Sequence, residues 1–254
     1  MDATSFTATA LTGIPLIQPG DNLVALICAA LEQSAITLQD GDILVIASKI
    51  VSKAEGRYVN LGDVTPSQRA IDLAEQTGKD PRIVELILQE SRSVSRVARG
   101  VLVTEHRLGF VSANAGIDQS NVERGEEQVL LLPLDPDQSA QRLRDGLSEV
   151  YNRDIGVVIS DTHGRPFRLG NVGVAIGVAG LPALLDLRGQ PDLFGRTMQI
   201  SVLGYADLIA SAAHLLSGEA DEGRPVIHIR GLRVSSFEGR ATDLYRPPEQ
   251  DLYR

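Results

Sequence analysis

The chain has 254 residues, of which 43% are hydrophobic and 22% are charged, a composition typical of a soluble globular protein. Its formal net charge of −9 argues against non-specific binding to nucleic acid or to anionic membranes, so we expect neither as a partner. The single cysteine, Cys28, allows no disulfide within this sequence. The first residues lack a basic segment followed by a long apolar core, so we expect a cytoplasmic location.

The N-terminal quarter of the chain alternates apolar strands with one apolar helix. Ser5–Thr12 predicts a strand, and Asp21 is the expected N-cap of a helix over Asn22–Gln33. Ile43–Ala47 is rich in β-branched residues and predicts a buried strand. Polar and basic residues follow that strand directly: Ser48, Lys49 and Lys53.

Three later helices share one start signal, a capping side chain followed by proline at the first helical position. The three pairs are Thr65-Pro66, Asp80-Pro81 and Asp135-Pro136. Gln68 and Gln138 stand three residues after their caps, as a capping box requires. Gly78 is expected to end the first of these helices.

The remaining elements mix strands and one long helix. Val101–Thr104 and Gly109–Ala113 predict a hairpin, and Tyr205–Leu216 predicts a helix that Gly218 ends. Further strands are expected at Val129–Leu132, Ile155–Ile159 and Pro225–Arg230. This order is neither strictly alternating nor all-β, so we predict an α+β or irregular α/β fold with mixed sheets.

Leu169–Leu185 carries no charge, yet it is shorter than the ~20 apolar residues of a membrane span and contains four glycines and Pro182. We predict buried chain in which glycines let another backbone come close. The segment from residue 235 to 254 is polar, and we expect a linker or a loosely held terminus.

Two carboxylates follow predicted strands. Asp161 and Thr162 come after Ile155–Ile159, and Asp118 comes shortly after the strand that ends at Ala113. Carboxylate and hydroxyl oxygens are hard ligands that suit Mg²⁺ or Mn²⁺. An ordinary polar turn explains the same residues, so both interpretations stay open here.

Other candidate residues are equally ambiguous by themselves. Lys49, Lys53 and Arg57 could neutralise phosphates, or they could form a solvated basic face. Glu219, Asp221 and Glu222 form an acidic turn after a helix. His163 is the one histidine in a suggestive position, and we assign no role to His106, His214 or His228.

Taken together and in order, five segments resemble one known family, coenzyme F420-0:γ-glutamyl ligase. They are Gly13–Ile17, Asp42–Arg57, Ser112–Asn121, Ser160–Pro166 and Gly218–Gly223. The resemblance extends from about Leu11 to about Val234, so we expect residues 1–234 to form the ligase domain, as one body or as two intertwined subdomains. Some members carry a further nitroreductase-like domain, so we expect this sequence to be either the stand-alone form or the part of a longer protein that ends at the linker.

The resemblance implies an activity and a set of ligands. Members join L-glutamate to the terminal carboxylate of coenzyme F420-0, using GTP and two divalent cations (Mg²⁺ or Mn²⁺), and K⁺ is a further expected ion. A tightly packed homodimer with a family-specific fold is also implied. No catalytic side chain is expected beyond the metal ligands.

The resemblance also assigns residues by matching motif. Asp118 and Asp161 would hold one cation, and Thr162 and Glu219 would hold the second. The residues that would contact GTP are Ile14, Pro15, Leu16, Ile17, Ser48, Lys53, Asn121, Ser217, Gly218, Glu219, Ala220, Asp221, Glu222 and Gly223. The alternatives are a non-catalytic nucleotide-binding module, a metal-dependent phosphatase, an amide ligase for another carboxylate, or an interaction protein with an acidic surface.

Overall fold

The computed structural model of the protein describes residues 4–119, 127–232 and 238–251. The α-helices within these residues are α1 (Leu23–Gln33), α2 (Ser48–Ala54), α3 (Gln68–Thr77), α4 (Pro81–Gln89), α5 (Pro136–Tyr151) and α6 (Tyr205–Ser217). The strands are β1 (Thr7–Ala10), β2 (Ile43–Ala47), β3 (Tyr58–Asn60), β4 (Ser91–Ala98), β5 (Val101–His106), β6 (Val111–Ala113), β7 (Gln128–Leu130), β8 (Gly156–Arg165), β9 (Arg168–Ala179), β10 (Leu184–Asp186), β11 (Val202–Gly204) and β12 (Val226–Arg230).

The largest sheet has the order β1-β12-β2-β8-β9 and is mixed. Strands β2 and β8 run parallel, with Ile43 opposite Gly156 and Ala47 opposite Ser160, while the other neighbours are antiparallel. Separate helices and mixed sheets confirm the predicted α+β class. The parallel pair brings the end of β2 beside Ser160, and this is where the candidate site forms.

The core lies on both faces of this sheet because its buried strands alternate their side chains. Leu44 and Ile46 face a cluster that includes residues of α1 and α5. Val45 and Val158 face a second cluster that includes residues of α6. Alternation with a period of two therefore fixes which helices cover which face.

Glycines in β9 allow the two covering helices to approach the sheet. A Cβ at Gly173 would lie 2.6 Å from the carbonyl oxygen of Ala210 in α6, and one at Gly177 would overlap the carbonyl oxygen of Pro136 in α5. The prediction of buried chain with close backbone approaches is confirmed for Gly173–Ala183, but it is wrong for Leu169–Asn171 and for Leu184, which are exposed. No helix among the described residues has the length and apolar character needed to cross a bilayer.

A second layer holds the smaller sheets β4-β5-β6 and β3-β7. The predicted hairpin is confirmed, since β5 and β6 pair antiparallel with Thr104 opposite Ser112. Helices α3 and α4 bury apolar residues such as Ala70 and Ile87 against this layer. An isolated bridge between Asp118 and Leu130 of β7 brings this layer to the edge of the candidate site.

Two predicted helix starts are wrong. Helix α1 is capped by Asn22, because the carboxylate of Asp21 accepts instead from the backbone N–H of Gln18 at 2.7 Å. Helix α3 is capped by Ser67 rather than Thr65, so Gln68 is its first residue and not part of a capping box. The caps predicted at Asp80 and Asp135 and the C-terminal glycines Gly78 and Gly218 are confirmed.

Strand β8 extends further than the sequence indicates. The sequence predicts that the strand ends at Ile159, but Asp161, Thr162 and His163 continue it and pair with Val174, Gly173 and Val172 of β9. The strand continues because its antiparallel partner is longer than its parallel neighbour. Helix α2, which begins directly at the end of β2, is also absent from the sequence-based prediction.

The C-terminal segment is not loosely held over its described part. Ala241 is buried, and its backbone N–H donates to the carboxylate of Asp137 in α5 at 2.9 Å. The ring of Tyr245 lies edge-on to Phe110, with centroids 6.0 Å apart. The prediction of a loose terminus is therefore wrong for this stretch, while the division at residue 234 stays a prediction.

Candidate functional site

A cavity of about 650 Å³ lies at the end of β2 and along β8. It is closed on its other sides by the loop before α1, by residues near Asp118, and by the segment after α6. The predicted residues that line it are Ile14, Pro15, Leu16, Ile17, Ser48, Lys53, Asp118, Asp161, Thr162, Ser217, Gly218, Glu219, Ala220, Asp221, Glu222 and Gly223. Asn121 lies outside the described residues. The cavity thus collects every residue of the predicted GTP and cation sets that the structure describes.

Asp161 is held in a defined orientation on β8. The hydroxyl of Ser48, the first residue of α2, donates to Oδ1 of Asp161 at 3.1 Å. Nε2 of His163 lies 3.1 Å from Oδ2 of the same carboxylate. His163 can reach it because residues two apart in a strand share a face. Both oxygens of Asp161 are therefore engaged by neighbouring side chains.

Thr162 faces the opposite side of β8. It pairs with Gly173 of β9. A Cβ added at Gly173 would lie 3.1 Å from the Cβ of His214, so this face of the sheet packs against α6. Directly paired residues point to the same face of a sheet, so the Thr162 hydroxyl lies on the α6 side. The side chains of Asp161 and Thr162 therefore point to opposite faces of β8, and both residues line the cavity.

Asp118 and two lysines line the wall formed by α2. Nζ of Lys49 lies 2.7 Å from Oδ2 of Asp118. Lys53 follows one helical turn later and is only 6% exposed. The wall formed by α2 therefore presents two ammonium groups to the cavity.

The acidic segment after α6 is tied back to that helix by His214. Nε2 of His214 lies 2.8 Å from Oε1 of Glu219, and Nδ1 lies 3.3 Å from the hydroxyl of Ser217. Sequence reasoning assigned His214 no role. Its place in the last turn of a helix, just before the glycine cap and the acidic residues, is the signal that could have indicated one.

Ser52 was also missed by the sequence reasoning. It is 1% exposed and lines the cavity, and its hydroxyl has no hydrogen-bond partner within the described portion of the chain. Buried polar groups are normally paired. The Ser52 hydroxyl is therefore a further polar group available to a ligand in this cavity.

Arg57 does not belong to the cavity wall. Its Nε donates to the carbonyl oxygen of Leu132 at 2.8 Å, and its guanidinium lies 3.2 Å from Glu90. Burial opposes ionisation of Glu90, but the neighbouring His106, Arg107 and Arg57 outweigh it and lower the pKa of Glu90 to about 2. The interpretation of Arg57 as a phosphate ligand is thus wrong, since it neutralises a buried carboxylate.

Stacked rings connect the buried residues around Glu90 to the cavity. The ring of Phe110 stacks on His106 with centroids 4.9 Å apart and contacts the ring of His163 at 5.0 Å. Burial lowers the pKa of His106, and its Nδ1 accepts from the backbone N–H of Leu108 at 3.0 Å. Phe110 therefore packs behind the side chain that orients Asp161.

The donor chemistry of the cavity fits a hard divalent cation. Asp118, Asp161 and Glu219 offer carboxylate oxygens, and Thr162 offers a hydroxyl. Each carboxylate already contacts Lys49, His163 or His214, respectively. In the described ranges no three His, Cys, Asp or Glu side chains are gathered into a ready metal cluster. Suitable ligand atoms are thus present, and each of the three carboxylates is paired with a side chain of the protein.

The fold and the cavity define a class of protein: an α+β protein whose cavity combines a buried lysine, carboxylates and hydroxyls. Comparison with known proteins gives the family. The profile described as F420-0:Gamma-glutamyl ligase matches residues 13–231. The chain belongs to this family, which confirms the resemblance based on the five ordered segments.

Similar proteins carry one name, Coenzyme F420:L-glutamate ligase. The protein from Methanopyrus kandleri is 49% identical over 94% of this chain and 93% of its own length. That from Methanothermobacter thermautotrophicus is 48% identical over 95% of this chain and 96% of its own. The Archaeoglobus fulgidus protein is 44% identical, with 95% and 94% covered. The similarity therefore covers nearly all of each chain.

Proposed function

We propose that this chain is a ligase that joins L-glutamate to coenzyme F420-0 through a γ-glutamyl amide bond, with GTP as co-substrate. The observation that supports this best is that one cavity collects residues from all five separate segments of the chain that match the family's motifs. The names of the relatives, which describe glutamate ligation to coenzyme F420, support the same activity.

The reaction needs an activated acceptor. A carboxylate does not react with an amine at neutral pH because oxide is too poor a leaving group. In the proposed first step, a carboxylate oxygen of the acceptor attacks the γ-phosphorus of GTP, which forms an acyl phosphate and releases GDP. The glutamate amine then attacks the acyl carbon, loses a proton and expels inorganic phosphate. Phosphoryl transfer asks the protein mainly for positioning and charge stabilisation.

The cavity walls divide the proposed tasks. Ile14–Ile17 and the segment 217–223 contact GTP together with Ser48 and Lys53, and the positive charge of Lys53 stabilises the phosphates. Asn121 completes the proposed set of GTP contacts. Because Lys53 is buried, its charge acts in a medium that screens it less than water does.

Two cation positions are part of the proposal. Asp118 and Asp161 would hold one Mg²⁺ or Mn²⁺ ion, and Thr162 and Glu219 would hold the other, on the α6 side of β8. Such ions supply charge neutralisation for the transferred phosphoryl group. K⁺ is a further proposed ion, for which we assign no residues.

The direct test is a reaction with purified protein, coenzyme F420-0, L-glutamate, GTP and Mn²⁺, followed by mass spectrometry. We expect GDP and the γ-glutamyl product in equal amounts, and neither when any one component is omitted. GTP hydrolysis without the acceptor would favour a phosphatase. Binding without turnover would favour a nucleotide-binding module, and reaction with other acids alone would favour a different amide ligase.

The acyl-phosphate step has its own test. If the acceptor carboxylate is labelled with ¹⁸O, one labelled oxygen should appear in the released inorganic phosphate. Unlabelled phosphate would contradict this step while leaving the ligase activity intact.

A homodimer is also proposed. The segment that connects β10 to β11 exposes large apolar side chains. Among them are Leu193, Phe194 and Ile200, each at least 87% exposed. Monomers rarely display such a group of residues without a partner. Light scattering coupled to size-exclusion chromatography should give twice the monomer mass of 27.3 kDa. Substitution of Phe194 by Asp should then shift the mass toward the monomer.

A further inference from the structure

The ion pair between Lys49 and Asp118 lies inside the candidate site. Its atoms are 2.7 Å apart, and the two side chains are 33% and 27% exposed. Both line the cavity, so a ligand can reach them. Unlike Asp161 and Glu219, which contact imidazoles, Asp118 contacts an ammonium group, a compact point charge. This pair therefore competes most directly with a divalent cation.

We propose that Lys49 exchanges partners when ligands bind. It pairs with Asp118 while the divalent cation is absent, and it contacts a phosphate oxygen of the nucleotide once the cation occupies Asp118. The proposal rests on the proposed function, in which Asp118 is a cation ligand and the cavity holds GTP. The nucleotide-binding role of Lys49 is inferred from its contact with Asp118, since the family motifs assign no GTP contact to this residue.

The exchange follows from charge. A divalent cation on the Asp118 carboxylate and an ammonium group 2.7 Å from Oδ2 of that carboxylate would repel each other, so cation binding weakens the ion pair. The four-carbon stem of Lys49 then lets its ammonium group move away without any change in the backbone. Lys49 and Lys53 lie one turn apart on α2 and line one cavity wall, so the released ammonium remains beside the phosphates that Lys53 is proposed to bind.

The exchange couples two binding events. The pair with Asp118 weakens cation binding when no nucleotide is present, and the released ammonium strengthens nucleotide binding once the cation is bound. Thermodynamic linkage requires that each ligand raise the affinity of the other by the same factor. Lys49 thus favours simultaneous loading of cation and nucleotide over loading of either one alone.

Calorimetric titration of Lys49→Met with Mn²⁺ and with GDP tests this. Without nucleotide, the variant should bind Mn²⁺ about two- to five-fold more tightly than the wild-type chain, the range expected for an ion pair of this exposure. At saturating Mn²⁺ it should bind GDP more weakly by a similar factor. Lys49→Arg should retain most of the wild-type coupling. Circular dichroism checks that both variants are folded.

A matched control is Arg153→Gln, which removes one charge from the exposed Arg153–Asp40 pair outside the cavity. It should leave both affinities unchanged. Mn²⁺ affinity that is unchanged or reduced in Lys49→Met, or GDP affinity that is unchanged at saturating Mn²⁺, would overturn the exchange. If the wild-type chain itself binds neither Mn²⁺ nor GDP, the proposed function fails, and the exchange fails with it.

Discussion

Nε2 of His214, in the last turn of α6, lies 2.8 Å from Oε1 of Glu219 across the glycine cap of that helix. The contact folds the acidic segment back over the cavity. Glu219 is half exposed, so this ion pair contributes little to global stability and acts on the position of the segment. His214 is thus a positioning residue for the proposed GTP contacts.

His214→Ala should therefore affect substrate binding more than folding. We expect the KM for GTP to rise about two- to five-fold, the effect of losing a partly exposed ion pair, while the free energy of unfolding falls by about 1 kcal/mol or less. Steady-state kinetics and urea unfolding measure the two quantities. Leu215→Ala, at an exposed position of the same helix, is the control and should alter neither. An unchanged KM in His214→Ala would remove this role.

Gly177 of β9 should not tolerate a side chain. A Cβ there would overlap the carbonyl oxygen of Pro136, so either α5 or the strand must shift. Overpacking of this kind costs about 1–3 kcal/mol, and we expect Gly177→Ala to lose that much in urea unfolding. Gly164→Ala, in the neighbouring β8, is a matched control because its Cβ would meet nothing closer than 3.7 Å. Equal losses in the two variants would contradict the close approach.

Glu90 should stabilise the fold in a pH-dependent way. Its pKa is about 2 in the folded chain against an ordinary value of 4.5, so the unfolded chain binds more protons between these values. The stabilisation is complete above about pH 5 and is lost as the pH falls toward 2. Glu90→Gln should cost about 2–4 kcal/mol at pH 7, because it leaves Arg57 and Arg107 without their carboxylate.

When urea unfolding is repeated from pH 7 to pH 3, the difference in unfolding free energy between wild type and Glu90→Gln should stay level down to about pH 5 and then shrink as the pH falls to 3. Asp145→Asn, at an exposed position of α5, should show a small difference that does not depend on pH in this way. A constant difference for Glu90→Gln would mean that the buried charges do not stabilise the fold as described.

The elements that the sequence predicted well are those defined by local chemistry. The β-branched run Ile43–Ala47 forms a strand in any buried setting, and Asp80-Pro81 starts a helix through its own side chain and ring. Helix α2 escaped prediction because seven residues are too few to show a helical period. Asn22 replaced Asp21 as a cap because the choice between adjacent capping residues depends on a nearby loop amide.

The candidate site was predictable as a set of residues and not as a set of contacts. Asp118, Asp161 and Glu219 stood in recognisable segments, and the contact of Glu219 with His214 joins residues close in sequence. Nothing local indicates that Lys49 would contact Asp118 or that His163 would contact Asp161. The first of these contacts depends on the bridge between Asp118 and Leu130, and the second on the extension of β8 along β9, which are long-range features. Asp161 consequently belongs to a strand although its neighbours favour a turn.

The proposal as a whole is tested most directly by Asp161→Asn in the complete reaction, with product and GDP quantified by mass spectrometry. The amide keeps the size of the side chain and a hydrogen-bonding oxygen for Ser48, but it loses the charge proposed to hold a cation. With Asp145→Asn as the control, we predict a loss of ligation of about 100-fold or more without a change in the circular dichroism spectrum. Ligation by Asp161→Asn at a near wild-type rate would contradict the assignment of this cavity as the place where glutamate is joined.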